Sequence, residues 1–289
     1  VKLITRTAYG GFLQTTQLTG RPFALVPNTT LNEKFGVLSG QIPAAGTIPF
    51  LDYFVIGNGG HKWSSTTTTT GQIIGKPEPV QHRATDAALY NQIPFVLREP
   101  GNDLTQAQMQ AYRIRVPIVI AGVNYIAYYA KVFDYTGVAA AMQLITTNSD
   151  GSTTVTPFVP DSSNLNPTPP DLSSTGVNVV TGQYVTSSAK LPLNLTANDQ
   201  QELLNVANIL YGDPELAIIS EIGLCSGVDK VVAGGGSGQP TFNYTEALAC
   251  QIVSFFNSFY AMEFADDGIQ VLLDVGATEP LLKLAGVNA

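Results

Sequence analysis

Apolar and polar positions are patterned most clearly between residues 89 and 133. Three runs there, 93–98, 112–120 and 124–133, are dominated by β-branched and aromatic side chains. Such side chains fit a pleated, half-buried surface, so the runs predict strands. A polar stretch at 105–111, with Gln106, Gln108 and Gln110 outward, predicts one helical turn between the first two. Ala121-Gly122-Val123 predicts a hairpin connection between the last two. Over 125–133 both alternate sets of positions are apolar or aromatic. A strand of that kind needs covering on both faces, by this chain or by a neighbour.

The flanking sequence is more broken. Gly10-Gly11, Gly20, Pro22, Pro27 and Gly36 punctuate residues 1–47 too often for long helices and predict an irregular N-terminal arm. Residues 48–56 read as a strand closed by the turn Asn58-Gly59-Gly60, and the threonine run 66–70 as an exposed loop or edge. Asp150-Gly151 between 137–145 and 153–159 predicts a hairpin. Residues 160–175, rich in Pro, Ser and Asn, predict a linker or long excursion. A strand follows at 177–184, then a helix near 198–211. Thr196 or Asn198 caps that helix, Leu203, Leu204, Ala207 and Leu210 stripe it, and Gly212 with Pro214 stops it. The 215–224 pattern is mixed, and 233–239 reads as a flexible loop.

Residues 248–275 fit two templates. Leu248, Ile252, Phe255, Phe256, Phe259 and Met262 would line one helix face, yet the β-branched and aromatic content equally suits a long strand, a turn at Asp266-Asp267-Gly268 and a returning strand. The hairpin is the preferred expectation. The predicted class is mainly β, antiparallel and sandwich-like, with one or two short helices. The predicted organisation is an arm at 1–47, a β-rich core at 48–159, the linker, and a second β-rich part at 176–289 packed on the first.

Composition narrows the partners. Of 289 residues 44% are hydrophobic and only 12% charged, against about 25% charged in an average soluble protein. A surface so short of charge offers little resistance to association and suits an oligomer. A net charge of −8, with 14 basic residues and no run of them, argues against phosphate-backbone binding. No apolar stretch reaches the roughly 18–20 residues that span a bilayer, and the first residues lack the apolar core of a secretory signal. Cys225 and Cys250 are expected as reduced core residues, with a disulfide as the lesser alternative.

Candidate chemistry is sparse. His61 lies beside Trp63, His82 beside Arg83, and neither has a neighbour at helical spacing that would complete a metal site. Both are expected as surface hydrogen-bonders. The glycine run 234–238 lacks the following lysine and helix of a phosphate cradle. Asp266-Asp267 read as solvated turn residues, and nothing selects Asp52, Glu99, Asp103 and Asp134 as a catalytic carboxylate pair. Asn28, Asn194 and Asn243 sit in glycosylation-acceptor triplets of a kind common by chance in a chain rich in Asn and Thr. No catalytic, cofactor-binding or metal-ligating residue is expected, and no small-molecule substrate.

The stretch 53–59 with Trp63 nearby, the strand start Ile93-Pro94-Phe95 and the terminal run 269–275 together resemble virion structural proteins of tailed bacteriophages. Their order is similar to that in a baseplate wedge protein of contractile-tailed phages. The resemblance implies a non-enzymatic, mostly β subunit located in the virion after assembly in the host cytoplasm, with partners that are copies of itself and other phage structural proteins. It brings no catalytic residues. The expected interfaces are the strand at 125–133, the strand at 248–264 and the arm at 1–27. Tyr125, Tyr128, Tyr129, Phe133, Phe255, Phe256 and Phe259 would be aromatic anchors, with ordinary internal core as the competing reading. The alternatives are a secreted or surface adhesin or carbohydrate-binding module, using Trp63 and loop tyrosines, and a β-rich hydrolase with carboxylate catalysis.

Overall fold

A computed structural model describes residues 3–167, 178–234, 242–262 and 268–284. The fold is mainly antiparallel β with short helices. In chain order come β1 (Ile4–Arg6), α1 (Ala8–Thr19), α2 (Leu31–Phe35), β2 (Phe50–Gly57), β3 (His61–Thr67) and β4 (Ile73–Pro79). Then follow β5 (Gln92–Ile93), β6 (Val96–Arg98), α3 (Gln106–Met109), β7 (Tyr112–Ile120), β8 (Val123–Val132), β9 (Ala140–Thr147) and β10 (Thr153–Pro157). Last are β11 (Asn178–Thr196), α4 (Ala197–Tyr211), β12 (Ile218–Gly234), β13 (Phe242–Ala261) and β14 (Gly268–Leu284).

The chain divides into two units, one formed by Val1–Phe133 with Asn194–Ile269, the other by Asp134–Leu193 with Gln270–Ala289. This division differs from the consecutive blocks expected at 48–159 and 176–289. Strand pairing joins segments remote in sequence, so each unit takes two pieces of chain. Of the predicted linker, residues 162–165 form a 3-10 turn within the second unit, and 168–175 lie outside the described residues.

In the first unit the sheet order is β1-β13-β12-β2-β8-β6, with β5 also on β2 and β7 also on β8. The predicted β7–β8 hairpin forms, paired from Tyr112 with Lys131 to Ile120 with Val123. β12 is the central strand, antiparallel to both neighbours. The mixed pattern at 215–224 conceals it, because Ser220 and Glu221 are buried with the apolar residues. One core gathers Tyr53, Val55, Ile114, Tyr129, Ile252 and Phe255, with Cys225 and Cys250 both free inside it.

Residues 242–261 are strand rather than helix, but the expected returning partner is elsewhere: β14 pairs with β11 in the second unit's sheet. β13 pairs with β12 along most of its length and with the N-terminal segment over residues 253–257. That unit's sheet runs β10-β9-β11-β14, with the expected β9–β10 hairpin turning at Asp150-Gly151.

The N-terminal arm is more ordered than its glycines suggest. Thr7 caps α1, accepting from the Gly10 N–H, and left-handed Gly20 ends it. Gly10 is a point of close approach instead of a break: a Cβ there would lie 2.3 Å from the Val253 carbonyl oxygen. The arm pairs with a short stretch of the β13 edge. β1 pairs with residues 254–256, and the Thr7 N–H and hydroxyl donate to the carbonyls of Val253 and Ile252 at 3.1 and 2.8 Å. Farther along, Ala249 adopts φ +55° where the β12–β13 register shifts. The bulge orphans two backbone groups, and Asn32 of α2 satisfies both: Nδ2 donates to the Ala247 carbonyl and Oδ1 accepts from the Cys250 N–H, each at 2.8 Å. Replacing Asn32 by Ala leaves these groups buried and unpaired. We expect a loss of about 1–3 kcal/mol, read as a lower urea midpoint, with Asn32→Asp recovering only the Cys250 bond.

Candidate functional site

The densest buried polar chemistry in the first unit surrounds Glu221 on β12. Its Oε1 accepts the N–H groups of Gly59 and Asn91, both at 2.9 Å, and its Oε2 accepts the Tyr90 N–H at 3.0 Å. His82 Nε2 lies 2.8 Å from the same Oε2 and so carries the proton. The imidazole lies flat between Tyr90 and Phe255, with ring centroids 4.2 and 3.9 Å away, and its Nδ1 is 3.4 Å from Asp86. Burial pushes the Glu221 carboxyl up, but the bonds from His82 and the three backbone amides outweigh it and hold its pKa below the ordinary value. His82 is therefore buried rather than the surface hydrogen-bonder expected. The carboxylate–imidazole–carboxylate row resembles a proton relay, yet both ring nitrogens face carboxylates, and among the described residues no nucleophile bonds to either. What the row does is position backbone. It fixes the Gly59-Gly60 turn against β12 so tightly that a Cβ on Gly60 would stand 2.4 Å from the Ser220 carbonyl oxygen.

That turn forms one wall of an open groove of about 300 Å³. His61 and Phe259 meet edge to face at 4.9 Å, and Trp63, 62% exposed, stands edge-on to both. Pro77, Pro79 and Tyr260 complete the apolar lining. The amide of Asn257 is spent on the carbonyls of Gly60 and Val80, at 2.9 and 2.8 Å. His61 Nδ1 is buried without a partner. Burial, set against the opposing pull of Glu221, keeps the His61 pKa below the ordinary histidine value, so the ring is neutral at pH 7.

A family model matches residues 1–289. The chain belongs to the DUF7208 family, a family of unknown function. No curated protein and no solved structure matches it.

In this DUF7208 chain most of the aromatic anchors expected at an interface are internal. Tyr128, Tyr129, Phe133, Phe255 and Phe256 are buried, Tyr125 is half-buried, and only Phe259 is substantially exposed, at 38%. The chain covers the 125–133 strand itself. Phe35 of α2 stacks on Tyr129 at 4.3 Å, Tyr112 of β7 packs on Tyr128, and Lys131 pairs with Asp199 of α4. The four acids are placed as follows, with the Asp52 carbonyl accepting from the Phe133 N–H at 2.9 Å. Asp103 binds Arg115 and the Tyr128 hydroxyl, each at 2.6 Å, Asp52 lies near Asp229 and Arg113, Glu99 is exposed, and Asp134 belongs to the second unit. Asp266 and Asp267, and the glycine loop beyond Gly234, lie outside the described residues. Among the described residues no group of three or more His, Cys, Asp or Glu is placed to hold a metal ion.

Sequence reasoning passed over two buried acids, Glu221 and Glu246. Glu246 on β13 accepts the Arg115 N–H at 3.1 Å through Oε1, while its buried Oε2 has no partner. Burial pushes its pKa up to about 8. The two acids thus have opposite linkage to pH. Glu221, depressed in the fold, contributes stability above the unfolded carboxylate pKa that is lost as pH falls through its folded value. Glu246, raised in the fold, contributes stability below the unfolded pKa that declines as pH rises toward about 8. Thermal melts should show Glu246→Gln stabilising the protein more at pH 8 than at pH 5. Glu221→Gln, which turns an N–H donor toward backbone N–H groups, should cost about 1.5–3 kcal/mol at neutral pH and remove part of the acid sensitivity.

Proposed function

We propose that this DUF7208 chain is a non-enzymatic structural subunit that associates with copies of itself and with neighbouring proteins, in the baseplate or tail end of a tailed-phage particle. The observation that carries the assembly reading is β14. It is a 17-residue strand at the edge of the second unit's sheet, and among the described residues no strand pairs with its outer side. An edge of this length presents a row of backbone donors and acceptors that another strand can satisfy. Leu272 and Val275 on it are 59% and 37% exposed. In the first unit the outer side of β13 carries β1 over residues 254–256. The low charge content supports the same reading. Placement in a phage particle rests on the sequence resemblance carried by residues 53–59, 93–95 and 269–275. Among the described residues no helix is long and apolar enough to cross a membrane.

Light scattering at low and high salt tests the assembly reading. Association is expected to survive high salt, because apolar and backbone pairing is little screened. Leu272→Lys and Val275→Lys should each weaken it about tenfold or more, the equivalent of one lost apolar side chain. A monomer at every concentration, or a multimer indifferent to both variants, would overturn it. Recovery of the chain from purified particles tests its placement there.

A further inference from the structure

Lys131 of β8 and Asp199 in the first turn of α4 are in contact, with Nζ 2.5 Å from Oδ1, and their side chains are only 14% and 5% exposed. The two oxygens of Asp199 have different surroundings. Oδ2 accepts from the N–H and the hydroxyl of Thr196, both at 2.8 Å. Oδ1 faces the Lys131 amine and accepts from the Tyr112 hydroxyl at 3.3 Å. One oxygen therefore sits against two fixed donors at a helix N-terminus, a setting that stabilises negative charge as it develops. The other lies between an amine and a phenol, both able to give a proton. Glu202 follows one turn along α4, on the face that carries Asp199. Arg98 binds its Oε1, while its Oε2 is buried without a hydrogen-bond partner. Burial raises the Glu202 pKa above the ordinary carboxyl value against the pull of Arg98, and the charge of Asp199 adds to the rise. The buried ring of Tyr112, its centroid 5.5 Å from Nζ, helps to keep the group dry.

We propose that Lys131 and Asp199 join in an intramolecular isopeptide bond, formed by the folded chain itself, with Thr196 and Glu202 assisting. Transfer of a proton from Nζ to Oδ1 turns the ion pair into a neutral amine and a carboxylic acid, which burial favours. The Nζ lone pair attacks Cγ, and the charge that develops on Oδ2 is held by the two Thr196 donors. Glu202, in its protonated form, gives a proton to the departing Oδ1 and takes one from the nitrogen. The N–C bond forms, the Cγ–Oδ1 bond breaks, and Oδ1 leaves as water. Of the three protons on the ammonium, two end on that water and one on the amide nitrogen, and Glu202 finishes as it began. No oxidant or co-reactant is consumed. Oδ2 stays as the amide oxygen, so the Thr196 cap of α4 is kept. Residues 134–193 of the second unit are inserted between the two linked positions. A pull on both ends of that insertion would be borne by a covalent bond within the first unit. The bond does not depend on assembly at β14.

The test is the intact mass of the full chain, purified folded and then reduced and denatured for measurement. It should lie one water below the mass of the sequence. Tryptic mapping should place the loss in a branched peptide that joins residues 131 and 199, with no cleavage after Lys131. The map also separates this product from a cyclised aspartate at Asp150-Gly151, which loses the same mass. Lys131→Arg keeps a cation beside Asp199 and removes the amine, so its mass should be that of its sequence. Glu202→Gln should slow the linkage about a hundredfold or more, the lower range of acid–base assistance, read as the linked fraction at increasing times after synthesis. Unvaried protein at its full sequence mass overturns the proposal, whatever the variants do. A water loss that maps to other residues, or that survives Lys131→Arg, overturns it equally. Linkage at an unchanged rate in folded Glu202→Gln overturns the part given to Glu202.

Discussion

A carboxylate removed from water in the middle of a sheet must find its hydrogen bonds in the protein or lose its charge. Glu221 finds four: three backbone N–H groups from two different loops and one protonated ring nitrogen. Both loops thus donate to one acceptor that belongs to β12, and they bond each other through the Asn58 N–H and the Asn91 carbonyl. The turn after β2 and the segment leading into β5 are both anchored on this one side chain, while Ser220 and Asn257 hold Gly60 at the start of β3. The glycines at 57, 59 and 60 follow from the same constraint, because side chains at those positions would collide with Glu221 or Ser220.

The sequence made some of this visible and hid the rest for physical reasons. The strands at 112–120 and 124–133 are legible because β-branched and aromatic residues dominate them and a short turn separates them. Their cover is not legible, since Phe35, which stacks on Tyr129, lies far away in sequence within a segment that reads as irregular. Glycine was the most misleading signal. At position 10 it marks contact between a helix and a strand, which has the same one-letter appearance as a break. β12 is concealed for a related reason: polar residues in a buried strand imitate a loop until their partners are known.

The candidate groove was only half legible. Trp63 stands out as the chain's one tryptophan, and its neighbour His61 is two residues away. Phe259 comes from the far end of the chain and was grouped by periodicity with Phe255 and Phe256, which are core. Adjacent positions on β13 separate into buried and exposed sets only once its partners on either side are known. Asn257 likewise looks like an ordinary polar residue, although its amide ties the Gly60 turn to Val80.

The closure of β13 by the first few residues has a consequence for how the chain is made. Thr7 donates to a carbonyl 245 residues later, and contacts of such separation carry a large loop-closure cost before they stabilise anything. During synthesis residues 4–7 emerge well before the strand edge at 252–256 on which they dock. Until β13 follows, this segment has only part of its docking site, the 82–85 stretch to which Thr5 and Ala8 donate. The segment that caps this stretch of β13 is thereby made long before the strand it locks onto.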